Sequence, residues 1–216
     1  MLEVQRFVNS RFTSNTYIIA HPKHDDVWVV DPGDTEPVFL WMKTHKKTTI
    51  TGILLTHAHF DHIYGMNAIL SSYPNCVVYI ANEFGYEALY NPKANGSKYT
   101  EEGPILIADN ANILYYDKII KLWDDVEIQT INTPGHSDDS QCLLVKSMLF
   151  TGDTLIKDVR TVTKLKSGSV KKLEESMKTI STLTGNGLRV MPGHGEEFGL
   201  DEYDLNIMTF NPLNNK

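Results

Sequence analysis

The chain has 216 residues, about 1.4 times the ~150-residue domain prior, so one generous domain is expected and a sizeable core can be buried. With 41% hydrophobic, 10% aromatic and 22% charged residues, the composition is that of a folded, soluble protein, which excludes a disordered, collagen-like or coiled-coil chain. Twenty Lys and Arg against 27 Asp and Glu leave a formal charge of −7, the wrong sign for gripping phosphate backbones or anionic lipid, so neither nucleic acid nor membrane is expected as a partner.

The opening MLEVQRFVNSRFTSN shows no basic segment followed by an apolar run and a cleavage site, and no later stretch approaches ~18 consecutive apolar residues. The two cysteines, Cys76 and Cys142, sit inside apolar runs and read as small buried thiols. Together these features fit a reducing cytoplasm.

In chain order, residues 2–8, 16–20 and 27–30 are strand-like, with a turn between the last two at 21–26. A helix is predicted to start near Pro37, which suits a first helical position, because Val38, Trp41, Met42 and His45 fall at helical spacing. Residues 50–55 form a compact buried strand ending in THAHFDH, a helix follows from about 62 to 70, and 76–80 is the next strand. Residues 91–112, rich in Asn, Gly and Pro, read as a long surface connection. Strands return at 118–122, 126–132, 141–145 and 148–151, the last three as an antiparallel meander. Val170, Leu173, Met177, Ile180 and Leu183 mark an amphipathic helix over 170–183, and a final strand at 188–191 runs into PGHGEE. The coarse pattern is α+β.

The eight histidines are unevenly placed. His57, His59 and His62 lie within six residues, with Asp61 between them, directly after the apolar ITGILL. In extended backbone, positions two apart point to the same side, so His57 and His59 can aim at one point, while Asp61 and His62 address a second nearby. Three further segments repeat the design of an apolar strand whose following turn presents one ligand: VEIQTINTPGHS presents His136, MLFTGD presents Asp153 and LRVMPGHG presents His194. Imidazole and carboxylate without cysteine suit an open, reactive Zn, Fe, Ni or Mn centre, and this set suffices for two ions with one carboxylate bridging. His21, His24 and His45 read instead as exposed turn and helix residues, and Lys43, Lys46 and Lys47 as a solvated helix end.

THAHFDH, TPGHS, TGD and PGHG, in this order and at these intervals, resemble the metallo-β-lactamase-fold hydrolases. The opening FTSNTYII and closing FNPLNN resemble the small glyoxalase II-like (hydroxyacylglutathione hydrolase-like) members. The resemblance implies a four-layer αβ/βα sandwich over a single domain, 1–216, with the metals at one edge between two sheets. It implies His57, His59 and His136 around the first metal, Asp61, His62 and His194 around the second, and Asp153 bridging. The chain ends soon after PGHG, so the C-terminal helical domain that holds glutathione in full-length glyoxalase II is expected to be absent, and glutathione to contribute little to recognition. Two departures stand out: Tyr64 in DHIYG, where many relatives have a small residue, and KDVRTVTKLKSGS in place of a Gly-Ser-x-Gly-Arg-like stretch. Tyr64, Arg160, Lys164 and Lys166 are therefore the candidate substrate contacts.

The function expected is a binuclear metallo-hydrolase with two divalent ions, Zn first and Fe or Mn next, whose shared hydroxide cleaves a small thioester or ester. Asp61 is expected to orient the water or receive its proton. The alternative is a mononuclear iron persulfide dioxygenase on the same fold, using His57, His136 and Asp153 as its ligands. A β-lactamase is disfavoured, because Asp153 stands where many of those enzymes carry Cys.

Overall fold

Short apolar, β-branched runs separated by Gly, Pro, Asn and Asp produce twelve strands among the described residues of a computed structural model, residues 2–101 and 103–205. The closing FNPLNN lies outside the described residues. Two compact units result, residues 1–116 and 117–216, each with its own sheet and core.

In the first unit, β1 (Glu3–Val8), β2 (Asn15–Ala20) and β3 (Asp26–Val30) form an antiparallel meander. Three crossovers then add parallel strands: α1 (Thr35–Thr44) leads to β4 (Thr49–Leu54), α2 (Met66–Ser72) to β5 (Val77–Ile80), and α3 (Glu83–Tyr90) to β6 (Asn112–Tyr115). The sheet order is simply β1 to β6. Because β3 and β4 run parallel with Val30 opposite Leu54, the residues after both strands emerge at the same edge. The core gathers Val27, Val29, Ile53, Met66, Ile69 and Val78, all within 1% of complete burial.

The second unit is a meander of β7 (Ile119–Trp123), β8 (Val126–Asn132), β9 (Gln141–Val145) and β10 (Met148–Gly152). Helix α4 (Val170–Ser181) then leads to β11 (Arg189–Pro192), which is parallel to β10, and β12 (Phe198–Gly199) closes the edge. Strands β8, β10 and β11 therefore all point their C-terminal ends to one edge of this sheet. Helix α4 buries Leu173, Met177 and Ile180, three of the five positions in the predicted stripe, while Val170 at its first position is 50% exposed and Leu183 lies beyond its end at Ser181; Ser169 caps it by accepting from the Lys172 N–H.

Several boundaries differ from the sequence reading. Helix α1 starts at Thr35, two residues before Pro37, which the first turn tolerates because its N–H groups lack intrahelical partners anyway. The helix expected from residue 62 starts at Met66, because Phe60–His62 form a separate 3-10 turn. Helix α3 has a weak signal, Gly-containing and only eight residues long, but Asn82 caps it with bonds from the Phe84 and Gly85 N–H groups. The 91–112 connection is partly internal: buried Asn95 donates to the carbonyls of Ala88 and Ile105. His21 is buried, not exposed, with its carbonyl accepting from Lys47 Nζ, so Lys47 is a tie between segments and not a solvated end. Both cysteines are buried and free, and burial pushes each thiol up to about 12. No helix among the described residues is long and apolar enough to cross a membrane.

Gly135, in the TPGHS segment, has φ +148, and a Cβ there would lie 2.5 Å from the Leu173 backbone. The missing side chain makes room for α4, and the Ser169 N–H donates to the Gly135 carbonyl. Gly135→Ala combines backbone strain with overpacking and is expected to cost about 2 kcal/mol or more. A chain of this size should then lose about 5 °C in Tm, checked by calorimetry on the metal-free protein.

Candidate metal centre

In the first unit, β4 runs out at Leu54, and the next residues lead into a turn that buries His57, His59, Asp61 and His62, each at most 8% exposed. The His57 ring stands 4.7 Å from that of His59, nearly perpendicular, and 4.3 Å from that of His62. His62 Nε2 is 3.6 Å from Asp61 Oδ2.

These rings are oriented by a carboxylate that the sequence reading passed over. Asp31, buried at the end of β3 with φ +49, accepts from the Thr56 N–H at 2.8 Å and the Thr56 hydroxyl at 2.6 Å, and sits 3.1 Å from His62 Nδ1. An acceptor-only carboxylate makes Nδ1 of His62 the protonated nitrogen, so the ring's lone pair is on Nε2. The Thr56 hydroxyl spends its one hydrogen on Asp31, so at 3.1 Å from His57 Nδ1 it accepts, placing the His57 lone pair on Nε2 as well. Asp31, His57 and His62 cluster closely enough to suggest a cation among them, but the Asp31 oxygens are occupied by Thr56 and His62, which makes Asp31 an orienting group. A signal existed in VWVVDPGD, an apolar strand ending in a carboxylate before Pro-Gly, the same design as the other three motifs.

In the second unit, His136 follows β8, Asp153 follows β10 and His194 follows β11. Gly152 stands opposite Pro192, and the Gly193 N–H donates to the Gly152 carbonyl at 2.8 Å, which holds the Asp153 and His194 turns together. Nε2 of His136 and Nε2 of His194 are each 3.6 Å from the same oxygen, Asp153 Oδ2. The Val162 carbonyl, 2.8 Å from His136 Nδ1, accepts its proton and again leaves the lone pair on Nε2. No side-chain pattern could have announced a backbone carbonyl.

The donor set fits a divalent ion. A contact of 3.6 Å is long for a hydrogen bond, whereas two ligands each ~2.1 Å from a tetrahedral ion stand ~3.4 Å apart. Three nitrogen–oxygen pairs share that spacing, and in three of the rings Nδ1 is engaged by Asp31, Thr56 or the Val162 carbonyl, which makes Nε2 the nitrogen that would bind metal.

The expected substrate contacts are placed less uniformly. Tyr64 is part-buried, and its hydroxyl donates to Asp34 Oδ1 at 2.6 Å, while the Arg11 guanidinium lies 4.7 Å above its ring. Burial, with Asp34 adding to it, holds the phenol above its ordinary range. Asp34 is lowered: burial acts upward on it, but bonds from Tyr64 and Ser10 and the Arg11 charge outweigh that. Arg160, Lys164 and Lys166 are exposed on the 157–169 loop, and Arg160 lines a cleft against Leu173, Glu174 and Met177 of α4.

A family model described as the metallo-beta-lactamase superfamily matches residues 10–195. A hydroxyacylglutathione hydrolase of Pseudoalteromonas translucida is 29% identical over 199 residues, 91% of this chain and 65% of that protein. One of Francisella tularensis subsp. novicida is 27% identical over 96% of this chain and 73% of its own length. This chain therefore spans about two thirds to three quarters of those relatives. The crystal structure of BLEG-1, a B3 metallo-β-lactamase, is similar with a TM-score of 0.82 and 27% identity, covering 99% of this chain and 100% of that one.

Proposed function

The chain belongs to the metallo-β-lactamase superfamily, as a glyoxalase II-like enzyme with the α+β sandwich of that group, and from this premise we propose that it hydrolyses a small-molecule thioester or ester with two divalent metal ions. In this reading His57, His59 and His136 hold one ion, Asp61, His62 and His194 hold the other, and Asp153 is shared. The observation that carries it is the pair of imidazoles set at 3.6 Å from one oxygen of Asp153, the spacing of common ligands to a cation. Zn suits the nitrogen and carboxylate donors, and Fe or Mn can take the same places.

Such ions, when bound, supply Lewis acidity that brings a water's pKa toward neutrality and polarises a carbonyl. The chain's own part is orientation and proton handling. Asp31, Thr56 and the Val162 carbonyl hold His62, His57 and His136 in the metal-binding tautomer. Asp61, with Ser14 Oγ donating to its carbonyl at 2.7 Å, receives the attacking water's proton as the new carbon–oxygen bond forms. The carbon–sulfur or carbon–oxygen bond then breaks, and the proton leaves with the thiolate or alkoxide.

Elemental analysis of freshly purified protein is expected to find about two equivalents of transition metal per chain. Less than half an equivalent, with no uptake after chelation and re-addition, contradicts the binuclear reading. Activity is tested on lactoylglutathione and on a lactoyl thioester without the tripeptide, with nitrocefin and oxygen uptake with glutathione persulfide as the competing chemistries. A kcat/KM advantage of about a hundredfold for the glutathione ester, worth about 2.7 kcal/mol, would show that the tripeptide is bound. Oxygen uptake without hydrolysis would move the protein to the dioxygenase class.

A further inference from the structure

The segment between β1 and β2 displays an aromatic ring at a conformational cost. Phe12 and Thr13 have φ +52 and +53, two consecutive left-handed residues where glycine would be unstrained. Phe12 is nonetheless 65% exposed, and its ring meets that of Phe60 edge-on at 5.1 Å. Phe60 belongs to the 3-10 turn itself, between His59 and Asp61.

The surroundings over-determine this loop. Asp34 accepts from the Ser10 N–H at 2.7 Å and hydroxyl at 3.0 Å, and from the Tyr64 hydroxyl, while Arg11 covers the Tyr64 ring. Buried Asn9 donates to Ser14 Oγ, and Ser14 Oγ in turn donates to the Asp61 carbonyl. Tyr64 and Asp34 thus brace the loop, and Ser14 ties it to a candidate metal ligand. A ring that only filled space would be buried, whereas this one is held outward and tied to the turn that carries the ligands.

We propose that Phe12 and Phe60 form an apolar platform for the acyl side of the substrate, so that the enzyme selects thioesters or esters bearing an aromatic or extended hydrocarbon group over those with a small acyl group. This rests on the hydrolase reading above. Aromatic rings offer area at little rotameric cost, and an edge-on pair leaves a face of one ring for a third group.

The test compares acetyl and phenylacetyl thioesters of N-acetylcysteamine. The parent is expected to prefer phenylacetyl by about tenfold or more in kcat/KM. Phe12→Ala should collapse that ratio to about threefold or less, through KM and not kcat, and Phe12→Trp should restore it. Phe12→Gly, which relieves the positive φ, should lose the ratio while melting no lower than the parent, so a folding defect is separated from lost selectivity. An unchanged ratio in Phe12→Ala, or an equal loss on both substrates, overturns the platform. If the parent hydrolyses neither these thioesters nor the lactoyl thioesters above, the hydrolase reading has failed; wherever these two are not cleaved, calorimetry with the S-phenethyl and S-ethyl thioethers of N-acetylcysteamine decides the platform alone. Tighter phenethyl binding that disappears in Phe12→Gly supports it, and equal binding of the two thioethers overturns it.

Discussion

Asp153→Ala is expected to lower kcat/KM by about a thousandfold or more on whichever thioester the parent cleaves, and to leave the fold in place. The half-buried carboxylate follows β10 on a turn, and one of its oxygens is shared at 3.6 Å by the Nε2 atoms of His136 and His194. Removing it takes away the anion that would offset two adjacent cations, which costs metal as well as rate. Position 153 makes no contribution to the buried apolar cluster of its unit, so the metal-free variant should melt within a few degrees of the metal-free parent. Asp153→Asn keeps the shape and one neutral acceptor, and should retain more metal than Asp153→Ala without recovering parental rate. Parental activity in Asp153→Ala would end the shared-carboxylate assignment.

The second large effect is expected at Asp31, which touches no substrate in this reading. Asp31→Ala deprives the Thr56 N–H, the Thr56 hydroxyl and His62 Nδ1 of their buried acceptor, a stability loss of about 2–4 kcal/mol even without metal. It also frees the His62 ring to turn and to take the other tautomer, for which the expected penalty in metal affinity is about 10–100-fold. Two measurements separate the effects: thermal unfolding of the stripped protein, and competition of the protein against a chromophoric chelator. Asp31→Asn should keep most of the stability and still bind metal more weakly, because one amide oxygen cannot fill both carboxylate positions: its NH2 must face either the Thr56 N–H or the Thr56 hydroxyl and His62 Nδ1. A variant that is destabilised but binds metal like the parent would make Asp31 a structural residue only.

Much of the site was legible because its residues come as strand-plus-turn cassettes. His57, His59, Asp61 and His62 are close in sequence, and His136, Asp153 and His194 each follow an apolar run, so period-two patterning and turn residues locate them without any knowledge of pairing. Asp31 belongs to the same class of signal and was missed because a carboxylate before Pro-Gly reads equally well as an ordinary turn. Thr56 and the Val162 carbonyl belong to another class. A hydroxyl whose meaning depends on a carboxylate 25 positions away, and a backbone oxygen 26 positions from the ring it orients, have no local pattern.

The sequence by itself determined most of the strands, helices α1 and α4, and which chemistry-bearing residues stand at the strand ends, but not α3, β6 or β12. That information is local, because strand alternation, helix periodicity and turn chemistry are properties of a few adjacent residues. Only the tertiary structure decided which ends become neighbours and how each ring is turned. The parallel pairing of β3 with β4 puts Asp31 beside Thr56, and that of β10 with β11 puts Asp153 beside His194. The positive φ values of Phe12 and Asp31 are likewise held by contacts far along the chain. Pairing is settled by burying the two cores cooperatively, and a tautomer by whichever acceptor that burial delivers, so neither can be read from the residues that display it.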